Sequence, residues 1–152
     1  MNNEDRIIEI ELVEGPVQTK EWEAAPPGGA ECLFRGITRP EHHPEHGDLM
    51  ALKYEAQRTM AVDELHKLVN EAIERWKPLA VRLHHSTGIV PVGEASVVIQ
   101  VVTPHRMEAF LACQWLIDTL KSRVPIWKQE SWEDGQTWPE GTPLKSEAEL
   151  TS

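Results

Sequence analysis

The stretch SVVIQVVTPHRMEAFLACQWLIDTLKSRVPIWKQE, Ser96 to Glu130, decides the fold class. Its first part, Ser96–Thr103, is dense in β-branched residues, whose stiff side chains suit a pleated backbone, and predicts a central strand. The period changes at Pro104. Phe110, Leu111, Cys113, Trp115, Leu116, Ile117 and Leu120 then lay a broad apolar surface along a helix. Pro125 lacks the N–H that helix continuation needs and stops it. IWKQES is expected to return as a short strand.

Outward from this core the same two periods recur. DRIIEIELV, Asp5–Val13, alternates as a strand and ends at Gly15-Pro16. Glu23–Glu31, with its paired prolines and glycines, is a loop. Glu31–Thr38 reads as a second strand, followed by the polar, proline-broken loop RPEHHPEHGD. Leu49–Ala56 alternates again and is expected to complete a hairpin with the strand before it. In TMAVDELHKLVNEAIERW, Val62, Leu65, Leu68, Val69, Ala72, Ile73 and Trp76 mark one helix face, ended by Lys77-Pro78. AVRLHHSTG is a strand, with a turn around IVPVGE. The order β-β-β-α-β-β-α-β predicts an α+β single domain over residues 1–152, two main helices on one face of a mostly antiparallel sheet. An extended acidic tail is expected at about 133–152.

A chain of 152 residues suits one core. No apolar run is long enough to span a membrane, and MNNEDRIIEIELVEG lacks a basic-then-apolar signal pattern. A cytoplasmic protein is expected. Cys32 and Cys113 lie far apart in apolar segments and read as reduced core residues, with no disulfide framework or zinc spacing. The formal charge of -10 argues against non-specific nucleic-acid binding. Between His105 and Lys128, however, Arg106, Lys121, Arg123 and Lys128 outnumber Glu108 and Asp118. A local positive patch on an acidic body fits a small anionic ligand.

Each candidate site has a plainer reading beside it. His42–His46, HHPEH, offers metal donors, but no helical spacing fixes their geometry, and a solvated polar loop is favoured; no metal is expected. His84 and His85 on one strand point to opposite faces, one toward the core and one toward solvent. Cys113 reads as a small buried hydrophobe rather than a nucleophile. His105-Arg106 opens a helix, where free N–H groups and a guanidinium suit an anion, or it is an exposed first turn. Lys121, Arg123 and Lys128 surround a Val-Pro-Ile-Trp bend, as helix-dipole partners or as the floor of an anion site. Spacing leaves both open.

FRGITR at Phe34–Arg39, the polar loop, LKYEA, the helix ending in ERW, and TGIVPVGEASVVIQVVTPHRMEAFLACQWLIDTLKSRVPIWKQE follow one another in a specific order. From about Ala30 to Trp138 the chain resembles the large, catalytic subunit of molybdopterin synthase. The resemblance implies an α/β hammerhead fold and a sulfurtransferase that converts cyclic pyranopterin monophosphate into molybdopterin without metal or organic cofactor. It implies a small ubiquitin-like partner whose C-terminal Gly-Gly carries the sulfur as a thiocarboxylate, one at each end of a homodimer of large subunits. It implies catalytic roles for Lys121 and Lys128, and substrate binding by Ile37, Thr38, Arg39, His105, Arg106, Gln129 and Glu130. It also implies a site shared across the homodimer, the His-Arg pair of one chain reaching the lysines of the other. Ile37 stands where relatives often carry a basic residue, and Pro40 where they carry a polar one. The alternatives are a non-catalytic α+β module holding a phosphorylated metabolite, and a metal-binding protein using the histidine loop.

Overall fold

The computed structural model describes residues 5–139. Its elements in chain order are β1 (Ile7–Glu14), β2 (Ala30–Ile37), β3 (His42–His43), β4 (Gly47–Ala56), α1 (Arg58–Trp76), β5 (Ala80–Pro91), β6 (Ala95–Thr103), α2 (Arg106–Arg123), β7 (Ile126–Trp132) and β8 (Gly135–Thr137). The main sheet runs β2-β6-β5-β4-β7-β8. β1 joins β5 in parallel, and every other pairing is antiparallel. This is the expected α+β architecture with two helices.

Every residue of β6 is buried. A strand apolar on both faces needs a neighbour on each edge, and β2 and β5 supply them. That demand overrides the hairpin expected between β2 and β4. β2 pairs with β6, while β4 pairs with β5 and β7. β5 is long enough to serve both halves of the sheet. Ala80–His85 lies against β6, and beyond it Gly88–Pro91 lies against β4. Gly88 marks the crossing, at φ +107°, a conformation that a side chain would strain.

Alternate residues Val81, Leu83, Val97, Ile99 and Val101 of the sheet meet Leu65, Leu68, Val69 and Ala72 of α1 and Ala112, Leu116 and Leu120 of α2 in one core. Fully burying each large aliphatic side chain contributes about 1.5–3 kcal/mol, so this layer dominates stability. α1 begins where the Gln57 side chain accepts a hydrogen bond from the Met60 amide at 2.7 Å. It ends at Lys77 in the left-handed conformation, before Pro78. α2 ends as the Val124 amide donates to Leu120 O at 3.1 Å, immediately ahead of Pro125.

The other face of the sheet is covered by the segment that follows β1. Val17 packs on Val98, and Trp22 lies over the guanidinium of Arg82 at 4.2 Å. Arg82 is buried and bonds to Glu9, Gln100 and the carbonyl of Lys20. This cover corrects the expectation that one of His84 and His85 faces solvent: both are buried.

The histidine loop is an ordered turn. His42 bonds to Asp48 at 2.9 Å, and His46 to the carbonyl of Asp134 at 2.5 Å. Among the described residues no group of three or more His, Cys, Asp or Glu is arranged to hold a metal ion. At the start of the expected tail, Gly135–Thr137 folds back on β7, and Trp132 Nε1 donates to Thr137 Oγ1 at 2.7 Å. Residues 140–152 of that tail lie outside the described residues. No described helix is long and apolar enough to cross a membrane.

Candidate active site

The bend that follows α2 opens onto a cavity of about 150 Å³. Lys121 enters it from the last turn of α2. Lys128 enters from β7, held opposite Tyr54 of β4 by the antiparallel register. Ile37, at a register shift that ends β2, closes one side, and Leu52, Ile117 and Leu120 add apolar wall. Among the described residues neither lysine side chain forms an ion pair or hydrogen bond. Lys121 is exposed and Lys128 half-buried, and two ammonium groups at one cavity give it a local positive charge that suits an anion.

Arg123, the third cation of the bend, does something else. Its guanidinium donates to Glu71 at 2.8 Å and to Glu64 at 3.2 Å, both on α1, and it does not line the cavity. The three-cation cluster therefore becomes two cations facing a cavity and one clamp between helices.

Of the expected residues only Ile37, Lys121 and Lys128 line this cavity; the others lie outside its wall. Thr38 is buried. Its amide donates to Glu94 O at 3.0 Å and its carbonyl accepts from the Gly93 amide at 2.9 Å, which pins the start of the loop after β2. Arg39 is 80% exposed at its side chain and pairs with Glu41 at 2.8 Å. Gln129 lies opposite Lys53 and Glu130 opposite Leu52 on β7; Glu130 accepts from Thr137 Oγ1 at 3.0 Å. His105 is the N-cap of α2 with no side-chain cap, and Arg106 begins the helix, both exposed. From Arg106 to Lys121 is fifteen residues of continuous helix, about 22 Å at 1.5 Å per residue. Within one chain the His-Arg pair and the lysines do not meet.

Three polar residues of the cavity are not among the expected site residues: Tyr54, His85 and Ser96. His85 shares the helix-facing side of β5 with Val81 and Leu83, and that phase was the available signal. Burial lowers its pKa to about 4, so the ring is neutral near pH 7. Tyr54 meets it edge-on, ring centroids 5.2 Å apart at 80°. Burial raises the pKa of Tyr54, opposed by its hydrogen bond to Ser96. Cys113 lies below this layer. Burial first, then the neighbouring Cys32 thiol, raise its pKa and hold it as an inert thiol.

The comparisons with known proteins agree with this fold. The family model described as MoaE protein matches residues 12–123. The molybdopterin synthase catalytic subunit of Taeniopygia guttata is 40% identical over 124 residues, covering 81% of this chain and 79% of the relative. That of Bacillus subtilis (strain 168) is 41% identical over 131 residues, covering 80% and 82%. The crystal structure of molybdopterin synthase from Staphylococcus aureus superposes with a TM-score of 0.75 at 32% identity, covering 84% of this chain and 93% of that one. A complex of subunits 1 and 2 of the molybdopterin-converting factor from Helicobacter pylori shares the fold, at TM-score 0.72 and 21% identity, over 86% and 90% of the two chains. The family match runs from β1 to the last turn of α2, and on that extent the chain belongs to the MoaE family, to which the molybdopterin synthase catalytic subunits belong.

Proposed function

We propose that this chain is the catalytic subunit of a molybdopterin synthase. It transfers sulfur from a thiocarboxylate at the C-terminal Gly-Gly of a small ubiquitin-like partner to cyclic pyranopterin monophosphate. The observation that carries the reading is the pair Lys121 and Lys128 at one cavity, neither side chain paired with a carboxylate among the described residues. The reaction brings an anionic tail to a phosphorylated substrate. At about 4 Å, in surroundings of effective dielectric near 20, two such charges repel by about 4 kcal/mol. Two ammonium groups offset that repulsion.

The thiocarboxylate sulfur first bonds to a carbon of the pterin, whose oxygen leaves as water, so that the tail is joined to the pterin as a thioester. A second water then adds to the acyl carbon, and the bond from that carbon to sulfur breaks. The tail leaves as a carboxylate and the sulfur stays on the pterin. Charge gathers on the acyl oxygen as a tetrahedral centre forms, and a preorganised cation stabilises it there. Lys121 lies nearest the tail, stabilises this oxyanion and moves the proton, with Lys128 assisting. Ile37, Thr38 and Arg39 shape and charge the mouth beside β2, with Gln129 and Glu130 on β7 beside it. His105 and Arg106 hold the phosphate and pterin from the neighbouring copy of a homodimer. Support for that arrangement comes from the 15-residue separation on α2 and from Leu33, Met107, Phe110 and Leu111, all exposed apolar residues. The chemistry calls on no metal or organic cofactor, and we place the protein in the cytoplasm.

Lys121→Ala tests the assignment. Alanine is a good helix former, so folding stability changes by about 1 kcal/mol or less. Molybdopterin formation from thiocarboxylated partner and pterin is expected to fall to background. Turnover near the wild-type rate would sink the assignment.

A further inference from the structure

We propose that His85 is the hydrogen-bond acceptor by which the lysine cavity recognises an N–H group of the molecule that enters it. The proposal rests on the functional reading above, which brings two N–H-bearing molecules to this cavity: the pterin, through its ring, and the partner's tail, through its peptide groups.

The ring of His85 has one tautomer and one orientation available. Its Nδ1 lies 2.9 Å from the carbonyl oxygen of Ser86. A carbonyl only accepts, so Nδ1 carries the proton and, in a neutral ring, Nε2 keeps its lone pair. Turning the ring over would break that bond. The edge of Tyr54, 5.2 Å away, fixes the plane, and Tyr54 is itself tied to Ser96. The residue is 2% exposed, yet it lines the cavity. Among the described residues Nε2 has no hydrogen-bond partner, and it is absent from the atoms that are wholly enclosed without one. His84 next to it differs, because on the opposite face of β5 its Nε2 is enclosed, without a hydrogen bond and 3.8 Å from Glu11 Oε2.

The charges around the ring define what it accepts. Lys121 and Lys128 share the cavity, and Tyr54 is the other titratable group there. A protonated His85 would add a third cation to a buried site, whereas the neutral ring offers the opposite polarity, a lone pair. The cavity thus presents cations to an anionic group and an acceptor to a donor. A site that buries an acceptor rejects ligands that leave it unpaired.

His85→Phe keeps a planar ring and removes the acceptor, while His85→Gln restores one as a side-chain carbonyl. Each variant is assayed with thiocarboxylated partner and cyclic pyranopterin monophosphate, for KM, kcat and partner Kd. The expected result for His85→Phe is a rise of about tenfold or more in the pterin KM, or in the partner Kd, with kcat changed by less than about threefold. The first outcome assigns the donor to the pterin and the second to the peptide tail. His85→Gln is expected to recover most of the loss. An unchanged KM and Kd in His85→Phe, or an equal loss in both variants, overturns the proposal.

Should His85→Phe fail to fold, the imidazole ¹⁵N resonances of the wild type decide. Nε2 is expected to shift on adding pterin or a Gly-Gly-terminated peptide, while Nδ1 stays put. No shift with either at saturation overturns the proposal. A wild-type protein inactive in sulfur transfer would instead overturn the functional reading, leaving the resonance test of His85 intact.

Discussion

Arg106→Ala and Lys121→Ala should each inactivate the protein and yet repair one another when mixed. Both residues lie on α2, fifteen positions apart, which separates their backbones by about 22 Å. That distance exceeds the combined reach of an arginine and a lysine side chain, so on one α2 the two charged groups do not meet. In a homodimer with shared sites, Arg106 of one copy serves the Lys121 cavity of the other. A dimer of one Arg106→Ala chain and one Lys121→Ala chain then carries one doubly damaged site and one intact site. Random re-association makes about half the dimers mixed, so about a quarter of all sites are wild type. After co-refolding or co-expression, with mixing verified by native mass, sulfur transfer should return to about a quarter of the wild-type rate. Activity that stays at the single-mutant level in a verified mixed population would refute the shared site.

Two further outcomes follow from the geometry. Arg123→Ala removes the clamp to Glu64 and Glu71 but no cation of the cavity. Stability should fall by about 1 kcal/mol or less, because the pair is partly exposed, and turnover should stay within about twofold of wild type. Acid should destabilise the fold through His85, whose folded pKa of about 4 lies below its ordinary 6.5. The unfolded chain binds more protons between those values, so this contribution is complete above about pH 6.5 and is lost as pH falls toward 4, by about 3 kcal/mol in all. His84, lowered mainly by burial, acts in the same direction. Urea unfolding at about pH 7 and about pH 4.5 should show the wild type losing more stability than His85→Phe; equal losses would contradict the shift.

The elements were readable in the sequence because each rests on local pattern. Ser96–Thr103 could only be a buried strand, and Pro104 and Pro125 bracket α2. Pairing was not readable, since β2 and β4 look like adjacent hairpin arms until β6 claims an edge partner. The apolar surface of α2 was read too broadly: Phe110 is 62% exposed, and only the side bearing Ala112, Leu116 and Leu120 enters the core. At the site, Lys121 and Lys128 stood out as cations beside a rigid bend. Arg123 looked equivalent to them because its partners, Glu64 and Glu71, lie on another helix. One of His84 and His85 was expected to face solvent because nothing local announces that residues after β1 return to cover that face of the sheet. The place of His85 in the site was hidden for a related reason, its significance being a single unpaired nitrogen at the wall of a cavity made by six elements.

The central claim is sulfur transfer at the Lys121–Lys128 cavity, and a single-turnover experiment tests it most directly. Wild-type protein is mixed with cyclic pyranopterin monophosphate and partner bearing ³⁵S in its C-terminal thiocarboxylate, and the label is followed by chromatography. The account predicts that label moves from partner to pterin in the wild type. It predicts no transfer in the Lys121→Ala, Lys128→Ala double variant, nor with partner lacking its Gly-Gly tail. Label remaining on the partner with intact wild-type protein, or reaching the pterin at the wild-type rate with both lysines gone, would contradict it.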